Sequence, residues 1–325
     1  MRAVIAVDGR IEVADRPTPE PGPGEVRVRV HGAGLNRADL LQRAGLYPPP
    51  SGVPVDIPGL EFAGEVAARG PGTPGLAIGD RVFGIVAGGA QAEELVVHAS
   101  QCAVVPDALD LVTAGGVPEV FVTAHDAMRT RAALRPGEHV LVHAAGSGVG
   151  TAVIQLARAF GCSVTGTART QEKLDRALAI GLQDGVLVPR ELEVLTLVSR
   201  IIDAGGAPDV TIDTVGGPYV TADVLAAAPG GRIVMVGTLA GGSAELPILA
   251  AMSKRLRLFG TVLRTRSIAE KAEATAAFTV EVVPLLADGR VVPVVEQVLD
   301  LEDAATAYEL LASDTTFGKV ILRAT

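Results

Sequence analysis

The chain has 325 residues, about twice a usual domain length, so two domains are expected. With 48% hydrophobic residues and a mean hydropathy of +0.38 it is no disordered chain. A net charge of −9 argues against a general nucleic-acid-binding surface.

Up to about Pro118 the sequence reads as short strands between turns. Residues 26–30 (VRVRV) alternate strictly, as a half-buried strand does. Residues 59–67, 81–86 and 94–97 are further strand candidates, with Gly79-Asp80 and Gly88-Gly89 as turns. From Pro118 the rhythm changes to strand and helix in alternation. Strands are expected at 140–143, 163–167, 186–188, 209–213, 232–236 and 256–263, with helices at 150–160, 172–180, 192–202 and 219–227. That pattern calls for a parallel sheet covered by helices on both faces. A helix at 267–287, a strand at 291–298, a helix at 301–312 and a strand at 319–322 complete the chain.

Cys102 and Cys162 are the only cysteines, too few for a disulfide framework or a four-cysteine zinc site. A reducing, cytoplasmic setting is expected. The opening MRAVIAVDGRIEVADRP mixes charged and apolar residues, unlike a signal peptide. The uncharged stretch 140–157 carries Gly146, Gly148 and Gly150 with His143, Ser147, Thr151 and Gln155. It reads as strand, turn and helix, not as a membrane span.

That turn, HAAGSGVG from His143 to Gly150, is the most informative segment. Small residues let a backbone approach a pyrophosphate, and a helix N-terminus offers free N–H groups with partial positive charge. The pattern departs from strict G-x-G-x-x-G, with Ala145, Ser147 and Gly150 at the three positions. An NAD site places an acid after the second strand to hold the ribose 2′-hydroxyl. Here Thr167, Ala168 and Arg169 stand there instead, with Lys173 one turn further on, so NADPH is expected over NADH. Two solvated charges at a helix start remain the alternative for that pair. Of the five histidines only His139 and His143 are close together, and both fall in or beside a strand, which suits a core or pocket lining better than a metal.

LNRADLLQRAGLY (35–47), PGLE (58–61), GDRV (79–82), VPEVFVTA (117–124), the glycine turn, DTVGG (213–217) and LRTR (263–266) together carry a resemblance. The chain resembles the zinc-independent quinone oxidoreductases of the medium-chain dehydrogenase/reductase superfamily, the zeta-crystallin and p53-inducible quinone reductase group. The likeness implies an α/β fold: a GroES-like β-rich catalytic domain over 1–118, a Rossmann doubly wound domain over 119–264, and a returning catalytic segment over 265–325. Zinc-dependent relatives carry a Cys where Asn36 stands and a His–Glu pair near Glu61, so no metal is expected.

The resemblance also implies roles. Thr123 would meet the nicotinamide carboxamide or ribose; Ser147, Gly148, Val149 and Gly150 would form the pyrophosphate turn. Arg169 and Lys173, with Thr167 nearby, would hold the 2′-phosphate, although Val188 replaces a tyrosine that relatives often use there. Thr214 would lie beside the adenosine ribose. Val236, Gly237, Thr261, Val262 and Leu263 would border the nicotinamide, and Phe317 and Lys319 would close over the cofactor. Asn36 and Tyr47 are the candidate catalytic residues, with a structural bond and a packing aromatic as their alternatives. The expected activity is NADPH-dependent hydride transfer to a quinone or conjugated carbonyl. Rivals are an enoyl-thioester or enone reductase and a non-enzymatic NADPH-binding protein. No membrane partner is expected, and a homodimer would pair through the strand at 256–263.

Overall fold

The first turn is made by Asp8 and Gly9, both at positive φ (49° and 76°), a geometry that matches the twist of a hairpin. It joins β1 (Arg2–Val7) to β2 (Arg10–Asp15). These two strands are additional to those expected. Residues 2–7 form a nearly continuous apolar run, so the alternation that marks a half-buried strand is missing. The computed structural model describes residues 1–189, 191 and 193–324.

The VRVRV repeat lies in β3 (Glu25–Gly34), where Val26, Val28 and Val30 are fully buried. The short helix α1 (Arg37–Arg43) follows, then β4 (Glu61–Arg69), β5 (Arg81–Ile85), β6 (Glu94–His98) and β7 (Cys102–Val104). The strands expected at 59–67, 81–86 and 94–97 are present, with ends shifted by two residues at most. Next come α2 (Leu111–Ala114) and α3 (Pro118–His125), which runs on as a wider π-helical turn over Asp126–Arg131.

Strand and helix then alternate: β8 (His139–Val142), α4 (Gly148–Ala159), β9 (Ser163–Ala168), α5 (Gln171–Ala179) and β10 (Asp184–Leu187). The series continues with α6 (Val194–Gly205), β11 (Val210–Asp213), α7 (Pro218–Ala226), β12 (Arg232–Met235), α8 (Ile248–Lys254) and β13 (Arg257–Gly260). The expected helix at 192–202 begins at Val194, capped by the Glu193 carboxylate, and Leu192 lies outside the described residues. The six strands form one parallel sheet in the order β10-β9-β8-β11-β12-β13. This is the doubly wound order of dinucleotide-binding folds. Val140, Leu141, Val142, Val164, Ile212, Ile233 and Val234 fill its core with no exposed surface.

The last segment holds α9 (Ile268–Glu281), α10 (Val283–Ala287), β14 (Val295–Asp300), α11 (Ala304–Ala312) and β15 (Lys319–Arg323). One helix is expected over 267–287; two are found, broken at Val282. Pro284 has no N–H to continue the ladder. Pro293 likewise delays β14, expected from residue 291. β15 pairs antiparallel with β3 and parallel with β14, so these two late strands complete the sheet that β3 begins. The chain divides into two units, Met1–Val122 with Leu263–Thr325, and Thr123–Val262. Among the described residues no helix is long and apolar enough to cross a membrane.

One buried polar chain ties α11 to α1. The Tyr308 hydroxyl donates to Gln91 Oε1 (2.8 Å), and Gln91 Nε2 donates to Asp39 Oδ2 (3.2 Å). Tyr308 has no exposed surface. Tyr308→Phe should therefore leave a buried acceptor unmatched and cost ~1–3 kcal/mol. The measurement is the denaturant midpoint at unchanged slope; an unshifted midpoint would count against the chain.

Candidate active site and cofactor turn

The segment after β8 turns sharply. Ala144 is held at φ 52°, in the left-handed region, and its carbonyl accepts from Ser147 N–H (2.8 Å). Ala145 N–H donates to Thr167 O on the neighbouring strand (2.8 Å). Ser147 caps α4: its Oγ accepts from Gly150 N–H (3.0 Å). Gly150 is buried, and a Cβ there would run into the Ala144 carbonyl and lie 2.8 Å from Ala145 O. Only glycine lets the helix start this close to the strand. Ser147, Gly148 and Val149 remain half-exposed, and the Gly148 and Val149 N–H groups enter no capping bond among the described residues. A 12-residue helix with free N–H groups at its start fits a pyrophosphate.

The turn sits at the β8–β11 junction, where the strand order reverses and such folds bind their ligands. The other expected cofactor residues of this unit gather at the carboxyl ends of the same strands. Arg169 follows β9, Thr214 follows β11, Val236 and Gly237 follow β12, and Thr261 and Val262 follow β13. Thr170 caps α5 through Lys173 N–H (3.3 Å). Thr214 Oγ1 donates to His143 O (3.1 Å), Thr261 Oγ1 to Asp126 Oδ2 (3.0 Å), and Thr123 is buried at 8% exposure. Val188 is buried among Leu197 and Ile201, so it presents no polar group.

Thr167 faces inward. Its buried hydroxyl meets His143 Nδ1 (2.9 Å), and His143 Nε2 meets Asp223 Oδ1 (2.7 Å). The Tyr219 ring packs edge-on against the imidazole at 4.8 Å. Burial pushes Asp223 up to about 6, opposed by His143. The expected core role of His143 thus takes the form of a sealed hydrogen-bonded pin beneath the turn. Asp223, a lone acid in the apolar helix 218–226, was its only signal in the sequence.

The second cluster lies in the unit that holds β3 and β15. Lys319, 4% exposed, projects its ammonium onto the Leu35 carbonyl, Asn36 Oδ1 (2.8 Å) and Glu61 Oε1 (2.6 Å). Asn36 Nδ2 donates to Glu61 Oε1 (3.0 Å), and Glu61 Oε2 accepts from Glu119 N–H (2.8 Å). Lys319 therefore holds the Asn36–Glu61 pair together inside its own unit. The Asn36 amide is committed at both ends. Burial pushes Asp39 up to about 6, against its bonds to Asn36 and Gly59 N–H. It pushes Glu119 further, to about 8, because Glu61 adds repulsion.

Tyr47 is half-buried and gripped by Arg264. The guanidinium lies 4.6 Å from the ring centre and donates to Tyr47 O (2.9 Å), Ala87 O (2.8 Å) and Gln42 Oε1. Lys271 Nζ in turn holds Arg264 O (3.0 Å). Burial raises the Tyr47 hydroxyl, opposed by Arg264, so it is a neutral donor at pH 7. Among the described residues that hydroxyl has no hydrogen-bond partner. Leu263 is buried, as is the Phe317 ring, whose N–H donates to Glu296 Oε2 (3.1 Å).

Two family models match. "Alcohol dehydrogenase GroES-like domain" covers residues 22–107, and "Zinc-binding dehydrogenase" covers 148–279. The quinone oxidoreductase-like protein 2 of Bos taurus is 31% identical over 90% of this chain and 83% of its own length. The chain belongs to the quinone oxidoreductase family of medium-chain dehydrogenases/reductases. The family's quinone oxidoreductase from Escherichia coli, solved with NADPH, matches at 27% identity and TM-score 0.86 over 99% of this chain and all of that one. The chain also resembles a stretch of a pikromycin polyketide synthase component of Streptomyces venezuelae, 35% identical over 90% of this chain but 8% of that protein. It is accordingly an oxidoreductase with a nicotinamide cofactor.

Zinc, named in one of those family descriptions, does not fit the residues present. Among the described residues no three His, Cys, Asp or Glu side chains converge on one point. The Asn36 and Glu61 oxygens that could face a metal already hold the Lys319 ammonium. Lys319→Met should cost ~3–5 kcal/mol, since it strands a buried carboxylate. Pairing it with Glu61→Gln should recover part of that loss. Thermal or denaturant unfolding of the three variants measures the coupling, and a fully stable Lys319→Met would exclude it.

Proposed function

We propose that the chain is an NADPH-dependent reductase of quinones and related conjugated carbonyls that works without zinc. The carrying observation is Arg169 and Lys173 after β9, with Thr167, Ala168 and Arg169 at the strand end where an NAD site places its acid. A cation about 4 Å from a phosphate gains ~4 kcal/mol at an effective dielectric of 20. Exposure cuts this to ~1–2 kcal/mol, roughly a tenfold preference. The NADPH bound in solved family members supports the same choice.

The cofactor, when bound, supplies the hydride. The chain's own part is to seat the pyrophosphate on Gly148 and Val149, and to offer the substrate the Tyr47 hydroxyl. Arg264 fixes the backbone and ring of Tyr47, which limits where that hydroxyl can be. Without a metal to polarise a simple carbonyl, the fitting substrates are those already activated by conjugation. The polyketide synthase relatives favour a second reading, reduction of an enoyl thioester. β13 is the edge strand of its sheet, and Ile248, Leu249 and Met252 of the preceding helix are exposed. An open apolar edge of this kind supports a homodimer. The free thiols of Cys102 and Cys162 suit a cytoplasmic setting.

NADPH should bind about tenfold more tightly than NADH, and Arg169→Ala with Lys173→Ala should remove most of that difference while leaving NADH unchanged. Titration calorimetry decides, and equal binding of both by the wild type ends this choice. For the substrate, NADPH oxidation should be read with quinones, enones and enoyl thioesters on protein checked for metal. Quinones should react without stoichiometric zinc, and Tyr47→Phe should cost roughly tenfold in kcat/KM, the worth of one hydrogen bond. Turnover of enoyl thioesters alone would replace this reading with the second. Binding without turnover would favour a non-enzymatic role.

A further inference from the structure

Three acids stand in the cluster around Asn36, and two of them are saturated. Asp39 accepts from Asn36 N–H (2.8 Å), Gly59 N–H (3.2 Å) and Gln91 Nε2 (3.2 Å). Glu61 accepts from Asn36 Nδ2, Lys319 and Glu119 N–H. Glu119 differs. Its half-buried side chain takes no hydrogen bond among the described residues, although its own backbone is pinned to Glu61 in the first turn of α3.

We propose that Glu119 is the proton donor of this site, delivering the proton that accompanies hydride transfer onto the substrate oxygen. The proposal rests on the carbonyl-reductase reading above and adds to it the source of the proton. The charged and titratable groups facing Glu119 come from every element around it. They are Glu61 of β4, Asp39 of α1, Lys319 of β15, Lys271 of α9 and Arg264 just before α9, and Glu119 in turn acts on the Tyr47 hydroxyl. Glu61, already carrying one charge, opposes a second at Glu119, while the ammonium of Lys319 is bound to Glu61. Burial first, and then the repulsion of Glu61 and Asp39, outweigh Lys319 and Lys271 and keep the carboxyl in its acid form at neutral pH.

Tyr47 is the poorer acid of the two, because burial raises its phenol further above neutrality. An acid serves best when its pKa lies near the working pH. The division of labour is then a hydrogen bond from Tyr47 that orients the oxygen, and a proton from Glu119. As the hydride adds to the conjugated system, the Glu119 O–H bond breaks and an O–H bond forms on the substrate. The Glu119 carboxylate left behind takes a proton back from water. Electrons come only from the reduced nicotinamide.

The test has two readouts on the full-length protein. In the cofactor-free protein, the infrared band of a protonated carboxyl that is lost in Glu119→Gln should titrate with a midpoint about 8. With NADPH and an enone, wild-type kcat/KM should fall as pH rises through that same range. Glu119→Gln should lose this limb and about a hundredfold in rate, with NADPH affinity unchanged. Glu119→Asp, which keeps an acid, should restore the limb at a reduced rate and covers the case of an unfolded Gln variant. A Glu119 ionised by pH 6, or a Gln variant with wild-type rate and limb, overturns the proposal alone. A wild type inert to every conjugated carbonyl overturns the parent reading and this one together.

Discussion

The Lys319–Glu61 ion pair is the constraint on which the polar cluster depends. A carboxylate with no exposed surface is tolerable only if its charge is matched and its lone pairs are filled. Lys319, Asn36 and Glu119 N–H together do this. Asn36 is thereby fixed at the start of α1, and α3 is fixed at its first turn. One buried charge therefore sets the positions of three separate stretches of chain. The polar side chains nearby inherit that order, which is why a cluster with three acids keeps a defined geometry.

The other unit also buries a chain of polar side chains. His143 leaves β8 at the foot of the glycine turn, and its imidazole is spanned by Thr167 on β9 and Asp223 on α7. The turn above strains Ala144 into a left-handed conformation, a cost of about 1–3 kcal/mol that surrounding bonds must offset. The Ser147 cap and the Ala145–Thr167 bond share in doing so. The outcome is a rigid rim with half-exposed N–H groups above a sealed core, which suits a diphosphate that must be held in one pose.

Much of the fold was readable because its signals are local. Strict alternation marks β3, and a strand–glycine–helix sequence marks the pyrophosphate turn within ten residues. The first hairpin escaped because RAVIAV does not alternate, and the break at Val282 lay in one proline two residues on. The site was readable in part. Asn36, Tyr47 and the glycine turn carry a chemical reading within their motifs, whereas Glu119 and Arg264, though inside motifs too, and Asp223 gain meaning only from partners 58, 217 and 80 residues away. Lys319 shows the same limit from the other side. It was expected near the cofactor, yet its burial against Glu61 is a tertiary property that no local pattern encodes.

The return of β15 to β3 has a consequence for how the molecule comes into being. A ribosome releases residues 123–262 as one continuous stretch, whose strands pair through short crossovers and can assemble as they emerge. The other unit cannot. Its buried Glu61 lacks an ion-pair partner until Lys319, 283 residues after Asn36, has left the exit tunnel. Closing so long a loop is slow, so Glu61 and its neighbours spend most of synthesis solvated and unpaired. The buried polar cluster is thus among the last parts of this unit to form, and a product missing β15 would retain the parallel-sheet unit without an ordered Asn36–Glu61 pair.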